Sequence, residues 1–273
     1  MGSDGPHYRV AVGGLGAIGL KVARALDDGI PGLSLTAVSA RNRDAAVERV
    51  AGFRNSPPVV ALAELPDYAD VVVECAPAAV FEDVAIAAID AGRIFMPLSC
   101  GVLLERSELV DRAAETGARI IVPTGALVGF DAVRAAAEGG IHSVTMKTEK
   151  PPKSVKGAPY LAEHGIDVSD LDGPLKVFEG TAREAAKGFP ANVNVAAALS
   201  MAGIGADKTT IEIWADPAQP RNKHTIVVDA TSTRFTMVIE GIPSPENPAT
   251  GLLTPLSVIA TLRGLTSTLR VGT

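Results

Sequence analysis

The stretch VAVGGLGAIGLKVARAL, residues 10–26, sets three glycines at Gly14-x-Gly16-x-x-Gly19 between a β-branched run and an amphipathic one. A strand that turns at once into a helix needs Gly14 for the tight turn. Gly16 leaves the backbone bare enough for a pyrophosphate to approach, and Gly19 lets the helix pack on the strand. The new helix then offers its first N–H groups, those of Ala17 and Ile18 among them, to phosphate. In a chain with 27 glycines the spacing alone says little, and a tight turn without a ligand is the alternative. The flanking strand and helix are what point to a dinucleotide.

The pattern continues as a βαβ series. YRVAVGG, LSLTAVSA, DVVVECA, RIFMPLS and ARIIVPTG read as short strands, separated by AIGLKVARALDDG, RDAAVERVAG, AVFEDVAIAAIDAG and LLERSELVDRAAETG, each read as one helix. Such alternation predicts a parallel sheet covered on both faces. Composition shifts near residue 140, where IHSVTMKTEK, PLKVFEGT, KTTIEIWADP, KHTIVVDATS and TRFTMVIEG alternate polar and apolar residues. They predict a mixed or antiparallel sheet with one face on a core and the other on solvent or a partner. One helix, NVNVAAALSMAGIG, interrupts these strands, and LLTPLSVIATLRGL is a final helix returning to the first domain. The fold class expected is α/β, an N-terminal dinucleotide-binding domain followed by an α+β domain.

Bulk properties narrow the partners. A net charge of −6 with 4% aromatic residues supplies no basic, aromatic-studded surface, so nucleic acid is not expected. Cys75 and Cys100 lack the spacing of a zinc site or a disulfide framework, which suits a reducing cytosol. No targeting leader and no apolar run of membrane-spanning length is read, so no membrane association is expected; with no zinc-site spacing at the cysteines, no metal is expected either.

Site candidates follow from chemistry. An acid closing the second strand would hold a ribose 2′-hydroxyl, but the sequence there is Ser39-Ala40-Arg41-Asn42-Arg43. A guanidinium pairs with a 2′-phosphate, so NADP, or use of both NAD and NADP, is favoured. A solvated helix start is the alternative for Arg41 and Arg43. Ligands of doubly wound sheets lie beyond the strand ends, which brings ECAPAAV with Ala76, SCGVL and PTGALVGFDA to the cofactor; ordinary small-residue turns are the alternative. Among four histidines, His7 is in the N-terminal tail, His142 and His164 suit solvent or a strand edge, and His224 in PRNKHTIVV stands just before a strand. Histidine passes protons near neutral pH, although a lone one is commonly structural.

The chain resembles the L-aspartate dehydrogenase family, which includes the aspartate-dehydrogenase-domain proteins. GGLGAIG, VVECAPAAV, PTGALVGFDAVRAA, KTEKPP, FPANVNVAAALSMAGIGADKTTIEIWADP, NKH and ENPATGLLTPLSVIATLR carry the resemblance across nearly the whole length. It implies a Rossmann domain over residues 1–124, a substrate-binding and dimerisation domain over 125–249, and a helix within 250–273 packed back on the first. It further implies oxidation of L-aspartate, or the reverse reductive amination, in a cytoplasmic homodimer. By motif, His224 of the NKH segment is the proton-transfer residue, and Ala126 and Asn194 lie at the cofactor. Two substrate carboxylates call for cationic or amide donors, for which Lys147, Lys150, Lys153, Lys208, Asn192 and Asn222 are the candidates. The chain departs from the family's usual pattern at KSVKGAPYLAEHGIDVSDL and LVGFDA, where substrate is expected.

Two rivals remain. Glu149-Lys150-Pro151 imitates the signature of sugar-type NADP oxidoreductases, but it sits past the nucleotide domain, where that signature does not belong. An NADP-dependent imine or keto-acid reductase of the same fold acting on another small dicarboxylate, and a non-catalytic NADP-binding module, also fit the glycine loop. A placed proton donor argues against the non-catalytic module.

Overall fold

A computed structural model describes residues 7–190, 193–247 and 250–272. The chain forms two compact units, Met1–Gly125 with Thr254–Val271, and Ala126–Leu253 with Gly272–Thr273.

The first unit comprises β1 (Tyr8–Gly13), α1 (Gly19–Gly29), β2 (Leu33–Ser39), α2 (Arg43–Val50), α3 (Leu65–Tyr68), β3 (Val71–Glu74), α4 (Phe81–Asp90), β4 (Ile94–Pro97), α5 (Cys100–Glu105), α6 (Glu108–Thr116) and β5 (Arg119–Ile120). The strands pair in parallel in the order β2-β1-β3-β4-β5. Because successive side chains of a strand face opposite ways, the apolar runs feed two cores. Val10, Val12, Val71 and Val73 pack with Val22 and Leu26 of α1 on one face. Ala11, Val72 and Phe95 pack with Phe81, Val84 and Ala88 of α4 on the other. The chain leaves β1 towards β2 and returns to β3 on the opposite side, so the strand order reverses between β1 and β3.

The segment read as one helix after β4 is two. It breaks at Arg106, whose N–H reaches back to the carbonyls of Val102 and Leu103, while its guanidinium pairs with Glu82 and Glu108. A new helix then starts after Ser107 with Glu108 and Asp111 in its first turn, where acids suit the helix dipole. Periodicity alone does not reveal a break that leaves the apolar spacing intact.

The second unit contains α7 (Phe130–Glu138), β6 (Ile141–Lys150), α8 (Pro159–Glu163), β7 (Leu175–Thr181), α9 (Ala182–Gly188), α10 (Asn194–Ala202), β8 (Thr209–Ala215), β9 (Lys223–Ala230) and β10 (Arg234–Glu240). Its sheet is mixed, in the order β10-β9-β6-β8-β7, with β6 and β8 parallel and the other pairs antiparallel. Burial alternates along β6, β8 and β9. The inward face meets the helices where Gly203, at the end of α10, lies against Val133 of α7 and Val144 of β6. Among the described residues, three helices rather than one, α8, α9 and α10, separate the strands here. α9 escapes a periodicity search because it is only seven residues long, and its start is fixed locally by reciprocal bonds between Thr181 and Glu184.

The last helix, α11 (Leu253–Gly264), contributes Val258 and Leu262, both 0% exposed, to the core that holds Val10, Val12 and Leu26. Among the described residues no helix is long and apolar enough to cross a membrane, and no group of three His, Cys, Asp or Glu residues is placed to hold a metal. Leu262→Ala removes a fully buried side chain and is expected to cost about 2–5 kcal/mol. A urea midpoint equal to that of the wild type would contradict the placement of α11 in this core.

Candidate functional site

The glycine loop closes the end of β1 at the point where the strand order reverses. The Gly14 N–H donates to Ser39 O at 2.8 Å, and the Cys75 N–H donates to Gly13 O at 2.7 Å, which ties the exits of β2, β1 and β3 together. Gly14 has φ +99°, and a Cβ there would stand 2.5 Å from the Cys75 carbonyl oxygen. A Cβ on Gly19 would stand 1.8 Å from Gly14 O. Gly16 differs, since a Cβ on it would meet nothing within 4 Å. The first and third glycines are demanded by packing, and the second faces open space, as a backbone meant for a ligand does.

Ala17 and Ile18 lead into α1, whose N-terminus has no side-chain cap and no acid in its first turn. Such an end fits an anion. Arg49 of α2 braces the loop by donating to Leu15 O at 2.8 Å. Ala76 follows Cys75 and is half-buried. The two arginines after β2 part company: Arg43 donates to Val59 O at 2.7 Å, whereas Arg41 is exposed. Asn42, between them, caps α2 by accepting from the Ala45 N–H at 3.1 Å.

The second unit holds the histidine. His224 lies within β9, not before it, and is 5% exposed on the inward face shared with Ile226 and Val228. Opposite it in register stands Thr148 of β6, whose Oγ1 is 3.0 Å from Nδ1 of the imidazole. Lys150 ends β6 two residues on, on the same face, and is 4% exposed. Burial lowers the Lys150 ammonium to about 8. Burial first, and the Lys150 charge second, hold the His224 imidazole down at about 3. At neutral pH the pair is therefore an ammonium beside a neutral imidazole, with the ring orientation fixed by Thr148.

The other donors divide. Asn222 is half-buried just ahead of β9, and its carbonyl accepts from the Gly241 N–H at 2.8 Å. Lys147 points away from His224, because odd and even residues of β6 face opposite ways; it pairs with Glu149 at 3.0 Å and lies over the Trp214 ring. Lys153 and Lys208 are exposed. Ala126 is half-buried ahead of α7, and Asn194 is an exposed residue at the start of α10. Asn192 lies outside the described residues. Sequence reading missed Thr148, although its place two residues before Lys150 in an alternating strand already puts both on one face.

A glycine loop at a strand-order reversal, followed by a mixed-sheet unit with a buried lysine and histidine, defines a dinucleotide-dependent oxidoreductase. The family description "Aspartate dehydrogenase, C-terminal" matches residues 131–265, and "Homoserine dehydrogenase, NAD binding domain" matches residues 14–123. An L-aspartate dehydrogenase of Bradyrhizobium diazoefficiens is 54% identical, covering 98% of this chain and 95% of that one. L-aspartate dehydrogenase 3 of Bordetella bronchiseptica is 51% identical over 97% of each. The crystal structure of an aspartate dehydrogenase from Thermotoga maritima superposes with a TM-score of 0.75 at 26% identity, over 97% of this chain and all of that one. The chain belongs to the L-aspartate dehydrogenase family, and its cofactor is a nicotinamide dinucleotide.

Two measurements check this geometry. Gly16→Ala is expected to leave thermal stability within about 0.5–1 kcal/mol of the wild type while weakening dinucleotide binding, whereas Gly19→Ala lowers stability. Equal stability loss in the two variants would contradict the open space at Gly16. Because His224 is held neutral when folded, unfolding takes up a proton as the pH falls below 6.5 towards about 3. His224→Gln is expected to flatten that acid-side loss, by at most about 1.4 kcal/mol per pH unit for one proton. An unchanged slope in denaturant titrations would contradict the burial of a neutral imidazole.

Proposed function

We propose that this protein is an NAD(P)-dependent L-aspartate dehydrogenase, interconverting L-aspartate with iminosuccinate, which hydrolyses to oxaloacetate and ammonia. The observation that carries the reading is the buried Lys150–Thr148–His224 arrangement, found in a chain whose curated relatives are named for this activity. A nicotinamide dinucleotide held at the glycine loop would supply the hydride acceptor for oxidation of the α-carbon, and the hydride donor in the reductive direction. His224 moves the proton: as a neutral imidazole it accepts one from the amine or from the attacking water, and in reverse it delivers one to the developing amine. Thr148 Oγ1 fixes which ring nitrogen is presented. Lys150 binds a substrate carboxylate, with Asn222 and Asn192 as neutral donors to the substrate. A dianionic substrate brought against Lys150 would offset its charge and lift the His224 pKa from its low resting value, so the base would be strengthened when substrate is present.

On the dinucleotide side, Gly14, Gly16, Ala17, Ile18 and Gly19 carry the pyrophosphate, Ala76, Ala126 and Asn194 line the cofactor, and exposed Arg41 receives a 2′-phosphate. Arg41 therefore favours NADP over NAD, with Arg43 already occupied at Val59. The outward face of the second sheet, bearing Lys147, Glu149, Trp214 and Val227, pairs with the same face of a second copy to give a homodimer. The absence of a paired-cysteine framework suits the cytoplasm. His224→Ala is expected to lower turnover of L-aspartate by roughly 10²–10⁴-fold, the range for loss of a general acid or base, with dinucleotide affinity nearly unchanged. Wild-type turnover in that variant would remove His224 from the mechanism.

A further inference from the structure

Between the exits of β3 and β4 lies a carboxylate that the mechanism above leaves unused. Glu74 is the last residue of β3 and 0% exposed, with Pro97 of β4 opposite it in register. Its Oε2 accepts from the Leu98 N–H at 3.1 Å and the Ser99 N–H at 3.0 Å, and its Oε1 accepts from Ser99 Oγ at 3.1 Å. The next residue, Cys75, carries the carbonyl against which Gly14 is fitted. Glu74 thus joins the turn after β4 to the strand exit that supports the glycine loop.

This arrangement of donors suits an anion, yet burial works against one and pushes the carboxyl pKa up. The groups that favour its charged form are the backbone N–H groups of Ser99, Leu98 and Ala76 and the Ser99 hydroxyl, while the Cys75 and Cys100 thiols feel its charge, raised by burial first and by Glu74 second, the latter to about 12. A buried negative charge held by such dipoles is costly to keep. It is less costly when a cation arrives. The pyrophosphate takes the glycine loop at the strand-order reversal, and the dinucleotide spans the crevice over the neighbouring strand exits. One part of that cofactor changes charge in the reaction: the oxidised nicotinamide is a cation, and the reduced ring is neutral.

We propose that Glu74 is a redox-discriminating residue, whose buried carboxylate at the β3 and β4 exits makes this chain bind the oxidised dinucleotide in preference to the reduced one. The inference rests on the dinucleotide being seated at the glycine loop. Glutamine is nearly isosteric here: its oxygen accepts from Leu98 and Ser99, and its amide donates to Ser99 Oγ, so Glu74→Gln removes the charge while keeping the bridge.

The test is calorimetric titration of the full chain, wild type and Glu74→Gln, with the oxidised and reduced forms of whichever dinucleotide binds. Glu74→Gln is expected to lose about tenfold in affinity for the oxidised form relative to the reduced form. A ratio of affinities unchanged by the substitution, including an equal loss for both forms as a merely structural bridge would give, overturns the inference. Failure of either form to bind the wild type overturns the dinucleotide seat itself, a result distinct from an unchanged ratio. Should Glu74→Gln not fold, the wild type decides. As pH falls and Glu74 takes up its proton, the preference for the oxidised form is expected to shrink, and a ratio that stays flat over the whole pH range in which the chain remains folded overturns the proposal.

Discussion

The nucleotide end of the molecule depends on one close approach, the backbone of Gly14 against the carbonyl of Cys75. Any side chain at Gly14 would collide with that carbonyl, and its φ of +99° is one that L side chains rarely adopt. From that contact follow the exit angle of β1, the seating of Gly19 beneath Gly14 and the direction of α1. The hydrogen bonds from Gly14 to Ser39 and from Cys75 to Gly13 then lock three strand exits into one surface. A loop made this way presents backbone to its open side: Gly16 has free space around it, Leu15 is buried in the core beneath, and the two packed glycines admit no side chain.

The second unit works by a different constraint, the period-two alternation of its strands. Inward residues of β6 and β9 place Thr148, Lys150 and His224 on one dry face, while Lys147, Glu149 and Lys223 are sent to the other. Burial then sets the chemistry. It leaves an imidazole that is neutral at rest and an ammonium that has lost much of its preference for the charged form. A group whose charged state is disfavoured until a complementary charge arrives is suited to acting only when substrate is bound.

Much of this was legible in the chain. The Gly14-x-Gly16-x-x-Gly19 spacing between a β-branched run and an amphipathic one specifies its local structure, and the apolar runs of β3 and β4 can belong only to strands covered on both faces. The NKH segment led to His224, but its position relative to the strand was missed, because burial of an imidazole depends on the register with β6 and register is not local. Thr148 shares a face with Lys150 by local alternation, but that it stands opposite His224 is again a matter of register. Lys147 and Lys150 looked equivalent as cations until the strand parity separated them. Glu74 was not singled out in the sequence, because its partners Leu98 and Ser99 follow the neighbouring strand and carry no local signal. The break at Arg106 depended on ion pairs with Glu82, distant in sequence.

The central claim is that a dinucleotide held by this loop is reduced at the expense of L-aspartate. The most direct measurement follows the absorbance of the reduced nicotinamide when purified protein is given L-aspartate, D-aspartate, L-glutamate or L-alanine, each with NAD and with NADP. The account predicts a signal with L-aspartate and not with the other three acids, larger with NADP. Silence with L-aspartate under conditions where a dinucleotide demonstrably binds would contradict it.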